Sequence, residues 1–279
     1  MDGSRAVVLG GGGVTGVAWE IGLLAGLAAA GVEVDDADLV IGTSAGSVVG
    51  ALICSGVPLD ELYQRQLAPP TGEIAARLSL PMLVHYAAGA IGDERRARAR
   101  LARRAVRART VPEEQRRAVI AGRLPSHEWP RHPRLLITAV EVDTGEAVTW
   151  DRDSGVPLVD AVAASCAVPL VWPPVTIDGK RYMDGGVGSS VNMAVARDCD
   201  TVVVLLPSGE NTPSPFGDGA RAEIDAFDGR TLTVFADDGA LEAFGPNPLD
   251  PACRIPSARA GRVQGRREAA RVAAFLGVP

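Results

Sequence analysis

"DLVIGTSAGSVVGALICSG", Asp38 to Gly56, decides how this chain folds. An apolar run of strand length enters Gly42, Ser44 sits between small residues, and Gly46 opens a segment with apolar residues at helical spacing. A strand that turns sharply into a helix needs small neighbours at the corner, because the backbone there is tight and packed against other elements. Gly42 and Gly46 supply them. The G-x-S-x-G pattern then exposes the Ser44 hydroxyl at a helix start, where backbone N–H groups and the helix dipole favour negative charge. A serine acting only as a helix N-cap is the plain structural alternative.

Working outward, "RAVVLG" (Arg5 to Gly10) is a short strand, and "VAWEIGLLAGLAAAG" is a helix stopped by Gly31. The first sixty residues therefore run β-α-β-α, which predicts a three-layer α/β/α fold on a mostly parallel sheet. From about 57 to 133 many prolines interrupt helical pieces, and this stretch is expected to be a variable, partly helical insertion in a single domain spanning 1–279. Within it "DERRARARLARRAVRART" carries eight arginines against two acids. That segment is either a solvated helical face or a contact for anionic lipid headgroups. "LPMLVHYAAGAIG" in the same insertion suits an acyl-chain wall, a lid or ordinary core. Beyond it come a hairpin around Asp143-Thr144-Gly145, a helix in "PLVDAVAASCAVP", a second hairpin turning at Asp178-Gly179, and strands in "DTVVVLLPSG" and "RTLTVFA". The tail from Ser257 to Leu276 is expected to be an amphipathic helix broken or kinked near Gly261 and Gly265.

Composition narrows the function. A net charge of −6 argues against nucleic acid as a partner, and four cysteines with no C-x-x-C pair indicate neither a zinc site nor a disulfide framework. No signal-like start or membrane-spanning apolar run is visible, so a cytoplasmic location is expected, with peripheral contact at a membrane surface as its extension. The sequence is silent on oligomeric state.

A serine hydroxyl is a weak nucleophile until a base takes its proton. The three histidines, His85, His127 and His132, all lie in the irregular insertion, and none follows in the regular second half where a Ser-Asp-His order would place it. A carboxylate is the remaining base. Asp184 in "YMDGG" ends a β-run and precedes two glycines that permit close approach, whereas Asp178 has the simpler reading of a hairpin turn. A working Asp184 requires a pKa raised by desolvation in a largely closed site.

"GGGGVTG", Gly10 to Gly16, follows the first strand. Successive side-chain-free N–H groups suit an oxyanion hole, with a purely structural glycine turn as the plain alternative. The same letters contain G-x-G-x-x-G, but a dinucleotide site wants an acid at the end of the second strand, and that position carries Ser44. Asp35, Asp36 and Asp38 precede the strand.

Glycine loop, then G-x-S-x-G, then D-G-G well downstream: in this order the motifs resemble the patatin-like phospholipases, over at least Arg5 to Ser190. The resemblance implies a lipid acyl hydrolase with no metal or organic cofactor, Ser44 as nucleophile and Asp184 as proton acceptor of a Ser-Asp dyad. It also implies an oxyanion hole at Gly11 to Gly13 and a lipid ester as substrate. Many members carry Arg or Lys before the last glycine of the first motif. Thr15 stands there in this chain, which leaves phospholipid and neutral ester both open. The rival expectations are a dinucleotide or phosphate binder that uses the glycine loop, and a catalytically idle relative that senses lipid.

Overall fold

The computed structural model describes residues 4–34, 37–69, 74, 76, 94–212 and 219–278. The expectations for Asp35, Asp36, His85 and the "LPMLVHYAAGAIG" segment lie outside the described residues.

Among the described residues eight strands form one sheet. Strands β1 (Arg5–Leu9), β2 (Leu39–Thr43), β3 (Arg134–Glu141), β7 (Thr201–Leu206) and β8 (Arg230–Phe235) run parallel, with β1 between β2 and β7. Strands β4 (Ala147–Trp150), β5 (Val175–Ile177) and β6 (Lys180–Asp184) are antiparallel additions at the β3 side. Both expected hairpins form. The second turns on Asp178 and Gly179, each at positive φ, as a tight β5–β6 connection demands.

The period of two along β1 sorts its side chains into layers. Val7 and Leu9 belong to one core cluster with buried residues of helices α1 (Gly13–Ala28), α2 (Ala45–Ile53) and α6 (Leu158–Ser165), while Ala6 and Val8 belong to a second, on the opposite face, with Ile224 of α7 (Gly219–Asp225) and Met193. Helices thus cover both faces of a mostly parallel sheet, as the opening β-α-β-α pattern predicts. The chain leaves β2 on one side of β1 and returns as β7 on the other. This reversal opens a crevice at the carboxyl ends of the strands, where α/β folds place ligands.

The stretch between 57 and 133 contributes α3 (Leu59–Leu67), α4 (Glu94–Arg107) and α5 (Glu113–Arg123). In α4 the alanine and leucine positions Ala97, Leu101 and Ala102 are buried against Val140, Met183 and Val187, Ala105 is buried as well, and Arg103, Arg104 and Arg107 face outward. After α8 (Asp238–Phe244), the tail departs from its sequence reading. Helix α9 runs unbroken over Arg254–Leu276. A Cβ on Gly261 would collide with the Trp19 carbonyl and one on Gly265 with the Leu23 carbonyl. Gly22 and Gly26 of α1 are crowded in return by the Ala258 and Arg262 carbonyls. Four glycines that intrinsically weaken a helix here let two helix backbones touch. Gln264 locks the contact, accepting from Trp19 Nε1 at 2.9 Å and donating to the Phe235 carbonyl at 2.7 Å.

Candidate active site

Strand β3 aligns the two halves of the site. Its residues Ile137 to Val140 pair with β4 along one edge. Along the other edge β2 pairs as far as Thr43↔Thr138, and β6 takes over from Ala139↔Asp184. Strands β2 and β6 therefore meet end to end. The residue just past β2 and the last residue of β6 face each other across 140 positions of sequence, and Ser44 Oγ donates to Asp184 Oδ2 at 2.6 Å.

Ser44 sits at φ 52°, ψ −111°, a conformation that costs a non-glycine residue roughly 1–3 kcal/mol. Several bonds hold it there. The Ser44 N–H donates to Ser165 Oγ at 2.9 Å, and the Ser44 carbonyl accepts from Ser47 Oγ at 2.6 Å and Cys166 Sγ at 3.2 Å. Its hydroxyl makes no capping bond to α2, so the N-cap alternative fails. Both flanking glycines are sterically required. A Cβ on Gly42 would lie 2.5 Å from the Gly46 carbonyl oxygen, and one on Gly46 would drive into the Leu9 carbonyl. Gly46→Ala is expected to lower stability by about 3 kcal/mol, read from the urea midpoint at constant slope. An unchanged midpoint would mean that the turn relaxes freely.

Asp184 is buried, and its second oxygen accepts from the Gly186 N–H at 2.8 Å. A Cβ on Gly185 would come within 2.6 Å of the Thr138 carbonyl oxygen, which explains the first glycine after the aspartate. Burial pushes the Asp184 acid up to about 6 from 3.8, against the opposing pull of the Ser44 hydroxyl, the Gly186 N–H and the Arg116 charge. Behind the pair lies a polar cluster with no local sequence signal. Asn192, in a left-handed conformation, donates to Thr43 Oγ1 at 2.9 Å and to Thr138 Oγ1 at 3.3 Å, and the two threonine hydroxyls bond each other at 2.9 Å. Beneath the glycine loop, burial also pushes the acid of Glu20 well above the usual carboxylate range, favouring its neutral form.

The loop from Gly10 to Gly13 closes over Ser44, and the Cβ a side chain would add at Gly11 lies 3.6 Å from Ser44 Cβ. Gly13 takes φ +65°, and a Cβ on it would sit 2.7 Å from the Pro248 carbonyl oxygen. The Gly11 N–H is not available to a substrate, since it donates to the Ser190 carbonyl at 3.2 Å. Among the described residues the N–H groups of Gly12, Gly13 and Ala45 have no acceptor, and Gly13 and Ala45 line the cavity at Ser44. Of the three glycines expected as donors, Gly11 thus has its N–H taken within the protein, whereas Gly12 and Gly13, with Ala45 after the serine, keep theirs unpaired among the described residues.

That cavity, of about 30 Å³, is walled by Val48, Arg116, Trp172 and Leu249 besides Gly13 and Ala45. A second, of about 330 Å³, shares Val14, Val17, Val48 and Arg123 with it and extends past Leu52 and Leu62. His127 and His132 are exposed and line neither cavity, and Asp178 is exposed in its turn. Asp38 accepts from the Arg5 N–H at 2.8 Å, at the end of β2 opposite Ser44, where it cannot serve a dinucleotide at the glycine loop. The arginines of the site wall went unremarked in the sequence, hidden in an arginine-rich insertion.

A family model described as patatin-like phospholipase matches residues 7–197, well over half of the chain. Among solved structures the chain is similar to VipD from Legionella pneumophila, with 11% identity and a TM-score of 0.47 over 96% of this chain and 67% of that one. It is also similar to the type III effector protein ExoU, with 16% identity and a TM-score of 0.45 over 97% of this chain and 53% of that one. The chain spans about two thirds of the first and about half of the second.

Proposed function

The chain belongs to the patatin-like phospholipase family, whose members are lipid acyl hydrolases, and on that premise we propose that it is a serine acyl-ester hydrolase working through Ser44 and Asp184. The observation that carries this reading is the 2.6 Å bond from the Ser44 hydroxyl to a buried carboxylate whose acid is raised to about 6. Such a carboxylate is ionised at neutral pH yet is a far better base than a solvated one.

Ser44 Oγ attacks the ester carbonyl as its proton passes to Asp184 Oδ2. The carbonyl oxygen, now an anion, is held by the N–H groups of Gly12, Gly13 and Ala45. Collapse of the tetrahedral intermediate expels the alkoxide, which takes the proton from Asp184 and leaves as the alcohol. Water then attacks the acyl-serine while giving its proton to Asp184. The second intermediate collapses, Ser44 recovers its proton, and the fatty acid departs. The apolar walls at Val14, Val17, Val48, Leu52 and Leu62 suit the acyl chain. The test is mass spectrometry of fatty acids released from a panel of acyl esters, with Ser44→Ala as the control. A panel without release, or with release that survives in the variant, overturns the assignment.

The same reading extends to how the enzyme meets lipid. Among the described residues no helix is long and apolar enough to cross a membrane. Arg103, Arg104 and Arg107 of α4 line, together with Arg100, a depression of about 380 Å³, and among the described residues these three make no ion pair, in a chain of net charge −6. Each exposed arginine adds about 1 kcal/mol at an anionic membrane surface. Converting all three to glutamine is expected to weaken co-sedimentation with phosphatidylglycerol-containing vesicles about a hundredfold. Equal sedimentation of the two proteins would remove α4 from the contact.

A further inference from the structure

The polar cluster behind the dyad has a direction. Asn192 is only 8% exposed, on the segment after Asp184, and its amide protons serve three acceptors: the Ser189 carbonyl at 2.7 Å, Thr43 Oγ1 at 2.9 Å and Thr138 Oγ1 at 3.3 Å. The one hydroxyl proton of Thr138 goes to the Gly42 carbonyl at 3.5 Å. The 2.9 Å bond between the two hydroxyls is then donated by Thr43. The chain runs from the Asn192 amide through Thr43 and Thr138 to the main chain of β2.

Two of its members sit beside the reacting residues. Thr43 immediately precedes Ser44, Thr138 is its register partner on β3, and the Thr138 carbonyl is what Gly185, next to Asp184, packs against. The three side chains thus cross the point where β2 and β6 meet end to end. Both strands pair there with β3, β2 as far as Thr138 and β6 from Ala139. Slack between the two strand ends would appear directly in the 2.6 Å contact from Ser44 Oγ to Asp184 Oδ2.

Asn192 is itself held from outside. Its main-chain N–H donates to Ser189 Oγ at 2.8 Å, Ser189 Oγ donates to Glu223 of α7, and the Met193 N–H donates to the same carboxylate at 2.6 Å. The backbone is left-handed at φ 51°, which asparagine adopts at less cost than most residues. Neither Asn192 nor the two threonines line the cavities beside the serine, so the cluster is not placed to touch a substrate.

We propose that Asn192 is a positioning residue of this hydrolase, which, by bonding Thr43 and Thr138, holds the ends of β2 and β6 at the separation where the Ser44 hydroxyl reaches Asp184. The inference rests on the hydrolase reading for what the pair does, and it concerns the geometry of the pair alone. A displacement of about 1 Å is enough to cost about a hundredfold in rate.

The experiment replaces Asn192 by glycine, which keeps a left-handed backbone accessible and deletes the amide. Thr138→Val deletes the hydroxyl, and Thr138→Ser keeps it. The first readout is the titration of the Asp184 carboxyl by carbon-13 NMR, assigned by its loss in Asp184→Asn, with Ser44→Ala as the reference for a broken bond. Burial raises the Asp184 acid to about 6, and the Ser44 hydroxyl opposes that rise. The titration is therefore expected to move to higher pH in Asn192→Gly and Thr138→Val, toward Ser44→Ala, and to return toward wild type in Thr138→Ser. The other groups that act on Asp184, the Gly186 N–H, the Arg116 guanidinium and the Cys166 thiol, are the same in every variant. The second readout is turnover, where kcat should fall about a hundredfold in Asn192→Gly and Thr138→Val, with KM within about threefold of wild type. A lowered urea midpoint with both readouts unmoved would make the cluster a purely structural one and overturn the proposal, as would Thr138→Ser being as impaired as Thr138→Val. Where Asn192→Gly fails to fold, as judged by circular dichroism, the two Thr138 variants decide. Shifted titrations beside a wild-type protein that releases no fatty acid would sink the hydrolase reading and leave the positioning role standing.

Discussion

Ser44→Ala is expected to reduce ester turnover by about 10⁴-fold or more and to abolish labelling by a fluorophosphonate, while the protein unfolds at nearly the wild-type midpoint. The change removes one oxygen. The bonds that hold the strained backbone at this position use the Ser44 N–H and carbonyl, which alanine retains. Only the bond to Asp184 is lost. Alanine inherits the positive φ, so the strain is common to both proteins. Peptide mapping of the wild-type label should find it on Ser44. Label at another serine, or turnover within tenfold of wild type, would remove Ser44 from the nucleophile role.

Asp184→Asn is expected to cost activity and return stability. Turnover should fall about 10³-fold or more, because asparagine accepts no proton, while alanine replacements of His85, His127 and His132 should leave it within a few-fold. In the wild type, kcat/KM should drop tenfold per pH step below about 6 and level off above 7, since the carboxylate must be ionised to act. Stability carries the opposite sign. Burial raises the folded-state acid from 3.8 to about 6, so the stabilisation by neutral Asp184 is fully present below pH 4 and is lost as pH rises through 6. Ionising it in the folded protein costs on the order of 3 kcal/mol. Asparagine stays neutral and can still accept from the Gly186 N–H. The variant should thus be about 3 kcal/mol more stable than wild type at pH 8 and equal to it near pH 4, by urea unfolding at both. A variant destabilised at pH 8 would show that the buried charge is compensated in some other way. A histidine variant as inactive as Asp184→Asn would overturn the two-residue scheme.

Local rules made much of this legible in the sequence. Glycines at 42, 46 and 185 mark places where another backbone comes too close for a Cβ, and that demand is written beside the residue it serves. The same holds for the strand and helix periods of the first sixty residues. What escaped were pairings over distance. Gly261 and Gly265 carry the same letters whether a helix breaks or is approached, and only α1, some 240 residues earlier, decides between the two. Asn192, Thr43 and Thr138 are unremarkable apart and form a buried cluster only because β2 and β3 share a register. Gly11 looked equivalent to Gly12 and Gly13 until Ser190, on the segment after Asp184, took its N–H.

The contact between α1 and α9 bears on how this protein should be handled. The stretch matched by the family model stops at residue 197, so α9, along with β7 and β8, falls outside it. Trimming the chain to that stretch would bare a groove of main-chain atoms on the helix whose first turn presents Gly12 and Gly13. It would also strip the loop of its backing at Pro207 and Pro248. The last third of the molecule is the buttress behind the glycine-loop amides.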